Sequence, residues 1–346
     1  MALAAIGISI VGAGVAVSDY LTDYPVLSAQ AIRYAIGAGL LYLLAASSRR
    51  REPRLGAADW MRLVALALSG MVLFNIAIVR AVTTGEPAVV GTIIGLTPVG
   101  VALFVPLLAR RRPRATILAG AMLAAIGTAV VQGFGQADLP AILWSIVALG
   151  GEVAFTMLAA PLLRTLSPIG LTVRASALAS AALFAAAPFL DGADAFTPPG
   201  AREALAIGYL AVGSTALAFV LWYRALAHLG PERTGLFAGL MPISAALAGA
   251  VVTTAPLQAG TLIGTVLTGA GLAVGLGSRA SRPPSPAPST APAPPRAGRQ
   301  EPVLGPACDV VQVVALAQSS SALPAVPASR RGPDLTQPSP RSPLRP

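Results

Sequence analysis

Glu152 carries the most chemical consequence in this sequence, because it stands inside a long apolar run, flanked by Gly150, Gly151 and Val153. A carboxylate at mid-bilayer costs about 2.5–3.5 kcal/mol on insertion scales, so such a group must face a cavity or hold a proton. Either state suits proton coupling or the binding of a cationic solute. The competing reading is a neutral carboxyl, hydrogen-bonded for structural reasons. Arg33 and Arg174 fall a short way inside apolar runs of their own. They are placed to balance an anionic group, to pair with Glu152, or to snorkel toward headgroups. Asn75 and Trp144 are further cavity candidates, against ordinary helix packing. Trp222 and Tyr223 either line the same path or belong to an aromatic belt at the interface. Arg80 and Arg224 lie near the ends of their runs and read as interfacial. Asp19 and Asp23 read as loop residues.

Other chemistry has little to stand on. The single histidine, His228, excludes a zinc site with two His ligands, and the single cysteine, Cys308, excludes an internal disulfide. There is no G-x-x-x-x-G-K-[ST] phosphate loop and no G-x-S-x-G elbow. The expectation is a protein that is not an enzyme and needs no cofactor or metal. A formal net charge of +10 raises the question of nucleic acid. No basic helix face with interleaved aromatics supports it, so no nucleic-acid partner is expected.

The elements that position these residues follow from composition. Of 346 residues, 55% are hydrophobic and 11% charged, and the mean hydropathy is +0.73. A soluble domain carries roughly 25% charged residues, so the lipid bilayer is the expected surrounding. Crossing its hydrocarbon core takes roughly 20 apolar residues in a helix. Helices are required because the core offers backbone groups no water to bond. Ten stretches qualify: 1–18, 27–46, 61–82, 87–109, 115–133, 140–161, 167–190, 203–227, 233–254 and 258–277. Met1 to Val17 has no basic residue before it and reads as a retained first span, not a signal peptide. Residues 279–346 hold more prolines than the rest of the chain together. That segment reads as a disordered tail.

Charge suggests an orientation. Arg49, Arg50, Arg51, Arg54, Arg110, Arg111, Arg112 and Arg114 follow spans 2 and 4, while most acidic loop residues fall on the opposite side. Counting arginines puts both termini in the cytoplasm of a multi-pass protein of the inner or plasma membrane.

The chain also matches itself. With Arg80 set over Arg224 and no gaps, Gly91, Gly95, Leu96 and Pro98 fall on Gly235, Gly239, Leu240 and Pro242. The shared G-x-x-x-G-L-x-P implies a five-span unit over 1–133 and a second over 139–278. Five is odd, so the second unit would lie upside down, an arrangement that places a solute site at the interface of the halves. Glycines four apart let helices approach closely. Pro98 and Pro242 free the carbonyls of Ile94 and Ala238, which either line a path or reflect packing alone.

On these residues the sequence resembles the EamA-type transporters of the drug/metabolite transporter superfamily. Pro25 with Arg33-Tyr34, Gly95-Leu96-Thr97-Pro98 and Gly239-Leu240-Met241-Pro242 carry the likeness. So do Gly213-Ser214-Thr215-Ala216 and Leu221-Trp222-Tyr223-Arg224-Ala225-Leu226. Where many members end spans 4 and 9 with a Gly-Glu pair, this chain has Ala109-Arg110-Arg111 and Thr253-Thr254-Ala255-Pro256. The resemblance implies ten helices in paired repeats and the movement of metabolites, amino acids or drug-like compounds, with export the expected direction. The reading is a secondary transporter for small molecules, working by alternating access, with protons as a candidate coupling ion. The rival reading is a membrane sensor or assembly protein that keeps the fold. Oligomeric state is left open.

Overall fold

A computed structural model describes residues 1–47, 52–133, 135–254 and 256–277. The Pro-rich tail with Cys308, and Arg49, Arg50 and Arg51, lie outside the described residues. Among the described residues, ten helices are long and apolar enough to cross a membrane. They are α1 (Ala2–Leu21), α2 (Val26–Ala46), α3 (Ala57–Val82), α4 (Pro87–Leu108), α5 (Ala115–Gln132), α6 (Leu139–Leu162), α7 (Pro168–Leu190), α8 (Ala201–Leu229), α9 (Pro231–Thr253) and α10 (Ala259–Gly277). Among the described residues there is no strand, only one isolated bridge between Gly85 and Ala137. The fold is all-α, as the composition implies.

The main boundary difference from the sequence reading is at α3, which starts at Ala57 instead of 61. Gly56 is extended and precedes the first turn, where Asp59 pairs with Arg62 at 2.8 Å. An acidic first turn favours a helix start by complementing its dipole. A search for apolar residues alone passes over such a turn.

Two kinds of local departure recur at matching places in the halves. Wide π-helical turns interrupt α3 at Leu68–Leu73 and α8 at Leu210–Leu217. Such turns are rare and redirect the side chains that follow. The glycine-proline segments break α4 and α9. In α4 one helix ends at Ile94 and another begins at Thr97. In α9 a 3-10 turn over Leu236–Gly239 precedes a helix from Leu240. Pro98 therefore sits in a first turn, where its missing amide costs nothing. The freed Ile94 carbonyl does not stay open, since the Thr97 hydroxyl donates to it at 2.6 Å.

Packing exchanges helices between the halves. α1 packs on α8 and α9, and α6 packs on α3 and α4. α2 packs on α7 and α8, and α7 on α2 and α3. The contacts are reciprocal in detail as well: Ser214 of α8 lies against Gly14 of α1, and Gly70 of α3 against Phe155 of α6.

The tightest crossing joins α5 to α10. A Cβ on Gly127 would lie 2.7 Å from the Gly264 carbonyl oxygen, and one on Gly271 would lie 2.6 Å from that of Gly120. In lipid, where apolar surface gains nothing by leaving its solvent, this backbone proximity is what holds two helices together.

Candidate functional site

Four aromatic rings meet where α2, α6 and α8 approach one another. Phe155 lies 5.4 Å from Phe219 and 5.5 Å from Tyr223, measured between ring centroids. Phe219 lies 6.2 Å from Tyr223 and 6.5 Å from Tyr34. Separations in this range suit aromatic pairs. Asn75 closes the group on the α3 side. Its amide lies 3.2 Å from the Tyr34 hydroxyl and 2.5 Å from the Met71 carbonyl, inside the π-helical turn.

Glu152 stands on α6, three residues before Phe155, so the two side chains share a helix face. The Tyr223 phenol is near enough to Tyr34 and Glu152 to interact with both electrostatically. Glu152 is half-buried, and it has no hydrogen bond and no ion pair among the described residues. Neither Arg33 nor Arg174 reaches it. The guanidinium of Arg33 lies 4.4 Å from the Tyr34 ring centroid, and its Nε has no hydrogen-bond partner among the described residues. Arg174 donates to the Gly170 carbonyl at 3.1 Å. It lines a cavity of about 360 Å³ with Glu52, Arg54 and Trp60, toward the α2–α3 connection.

The other candidates divide between this centre and plain packing. Tyr223 is fully buried and Trp222 nearly so, within one core that also holds Tyr34, Met71 and Phe155. That burial places both inside the molecule, off its outer surface. Trp144 packs against Ala77, Ala81, Val90, Ile94 and Ala148, outside the ring cluster. Gly91 and Gly95 face Gln132 and Thr128 of α5. Gly235 faces Val101 of α4, and Gly239 faces Thr268 of α10 and Ala124 of α5. Pro98 and Pro242 are buried. Arg80 is exposed and Arg224 half-buried.

The sequence reading did not single out Phe155 and Phe219, and used Tyr34 only as a family signature. A signal existed: Phe155 follows Glu152 by three and Phe219 precedes Tyr223 by four, the spacings that share a helix face.

The Tyr223 hydroxyl has no hydrogen-bond partner among the described residues although its side chain is fully buried. A buried unmade bond costs about 1–3 kcal/mol. Tyr223→Phe should therefore raise the melting temperature in detergent. A fall would mean that a protein group satisfies the phenol. The Trp222 Nε1 and the Thr156 hydroxyl are in the same condition.

These features define a polytopic helical membrane protein with a carboxyl, Glu152, that has no hydrogen-bond partner among the described residues and lies on the helix that carries Phe155 of the aromatic cluster. The model of the EamA-like transporter family matches the chain twice, over residues 1–132 and 139–276, and the chain belongs to that family. It is thus a membrane protein of a transporter family, as the resemblance implied. The uncharacterized transporter YetK of Bacillus subtilis is 26% identical over 264 residues, covering 73% of this chain and 79% of that protein. An uncharacterized transporter of Archaeoglobus fulgidus is 24% identical over 238 residues, covering 68% of this chain and 83% of that one. A protein of known crystal structure, 21% identical, superposes with a TM-score of 0.67 over 79% of this chain and 95% of its own. That last likeness is one of fold.

Proposed function

We propose that this chain is a secondary transporter that exports a small cationic or amphipathic organic solute by alternating access between two inverted halves. Glu152 is the carboxyl that meets the solute's charge or carries the exchanged proton. The observation behind this is the isolation of Glu152: a structural carboxyl would have a hydrogen-bond partner in the protein, and none is present among the described residues. Four rings beside it favour a cation over an anion. With Arg33 on Tyr34 and Arg174 turned toward the α2–α3 connection, no arginine stands at Glu152 to attract an anion.

The inverted arrangement is supported by the α5–α10 crossing. Gly120 and Gly127 of α5 align with Gly264 and Gly271 of α10, yet Gly120 touches Gly271 and Gly127 touches Gly264. Such exchanged contacts are those of a two-fold, and for two antiparallel helices its axis lies across them, in the membrane plane. In this reading the units are 1–133 and 139–278, and both termini are cytoplasmic.

The test is flux in liposomes carrying the purified protein, with the lumen more acidic than the bath. Entry of labelled methyl viologen should be faster than into protein-free liposomes, while entry of naphthalenesulfonate should not. Preferential entry of the sulfonate, or no protein-dependent flux of either probe, counts against this assignment.

A further inference from the structure

α2 and α7 lie against each other in opposite directions, and each end of this pair is closed by a carboxylate that follows one helix and caps the other. At one end Asp191, just past α7, accepts from the Ser28 amide at 2.9 Å, and the Ser28 hydroxyl, 2.9 Å from the same carboxylate, is shared with the Ala195 carbonyl. The Leu27 amide reaches the same carboxylate at 3.4 Å. These are first-turn amides of α2, which no carbonyl of their own helix can satisfy. Beside them the Tyr24 hydroxyl donates to the Thr197 carbonyl at 2.8 Å. Burial first, then the nearby Asp191 and Glu203, hold the Tyr24 phenol above its ordinary value of 10.0, so it remains a donor.

At the other end Glu52, past α2, accepts from the Ser167 amide at 3.2 Å and from the Ser167 hydroxyl. Ser167 in turn caps α7 by accepting from the Gly170 amide at 2.9 Å. A helix cap is ordinarily supplied by the residue just before its own helix. Here Asp191 stands 163 residues from the Ser28 it holds, and Glu52 stands 115 from Ser167, so each cap reaches into the other half. The same device appears at both ends, with the roles of the halves exchanged. Tyr34 of the ring cluster lies on α2 between them.

We propose that Asp191–Ser28 and Glu52–Ser167 are two latches that each close one face of the seam between the halves, released one at a time during transport. The proposal rests on the transporter reading above and adds the residues that hold each face shut. Both latches are made in this structure. A rigid rocking of one half against the other must break one cap while the opposite cap can persist. Asp191 and Glu52 act as positioning residues; neither lies at the ring cluster.

The experiment uses the full chain in detergent with Cys308→Ser, so that one introduced thiol reports. Ala29→Cys reports the Asp191 end and Thr172→Cys the Glu52 end; both positions are buried. Asp191→Ala should raise maleimide labelling of Ala29→Cys by about tenfold, the factor given by ~1.4 kcal/mol of lost charge-assisted bonding. Labelling of Thr172→Cys should not rise. Glu52→Ala should do the reverse, and the milder Asp191→Asn and Glu52→Gln should shift the same reporters by less. The double variant Asp191→Ala/Glu52→Ala should restore the ratio of the two rates toward that of the parent. Equal rises at both reporters, as a general loss of stability gives, or no change at either, would overturn the latches. No solute enters this measurement. Loss of the transporter reading would appear as absent flux in the unmodified protein, whereas loss of the latches would appear in the labelling rates.

Discussion

Glu152→Gln is expected to abolish the response of solute flux to a proton gradient while leaving the protein folded and at least as stable. The amide keeps the shape of the carboxyl and cannot take a charge. Losing about 2.7 kcal/mol of interaction with a cation in this low-dielectric centre corresponds to a roughly hundredfold loss of rate. In the opposite direction, the substitution removes a group whose placement at mid-bilayer costs about 2.5–3.5 kcal/mol when charged. Function and stability should therefore separate: gradient-driven flux falls, and the melting temperature holds or rises. A structural carboxyl predicts the reverse pattern, with flux preserved and stability lowered. Flux in proteoliposomes and thermal melts in detergent, run on the same preparations, distinguish the two outcomes.

The second large effect lies at the α5–α10 crossing, outside the ring cluster. Gly127→Ala is expected to destabilise the protein by about 3 kcal/mol, the upper range for overpacking a filled core. The new methyl group would lie 2.7 Å from both the Gly264 carbonyl oxygen and the Thr268 amide nitrogen. These are backbone atoms of a helix, which cannot swing aside as a side-chain end could. Gly271→Ala meets the Ala124 amide and the Gly120 carbonyl, both at 2.6 Å, and should cost about as much as Gly127→Ala. Gly269→Ala on the same helix meets nothing within 4 Å. It should be neutral or stabilising by up to about 1 kcal/mol, since alanine is the better helix former. Equal melting temperatures for the Gly127 and Gly269 variants would remove the close crossing as a source of stability.

The two effects differ in how much of their cause was legible before the structure. That Glu152 would sit deep in the bilayer follows from counting apolar residues on either side of it. That it would stand alone beside four rings does not. Phe155 and Phe219 lie on α6 and α8, and only the approach of those helices makes them neighbours. The sequence left Arg33 and Arg174 three possible roles each. The structure stacks one on Tyr34 and turns the other toward the α2–α3 connection, and nothing in the spacing chooses between those outcomes. The glycine-proline segments were legible as packing devices. The Thr97 hydroxyl that occupies the Ile94 carbonyl was not, because side-chain bonding back into a helix depends on a rotamer.

The sequence by itself determined the number of spans and their approximate ends. The thickness of hydrocarbon sets a length that each segment must meet alone, and backbone bonding within a helix is local. Tertiary structure decided which faces meet. Most of these helices are apolar all round, so no difference between an oily and a wet face tells the chain how to turn them. In lipid that choice falls to close contact between small residues and to a few polar bonds. Those contacts pack α1 on α8 and α9 and α6 on α3 and α4, bring Asp191 to Ser28 and Glu52 to Ser167, and leave Glu152 without a hydrogen-bond partner among the described residues.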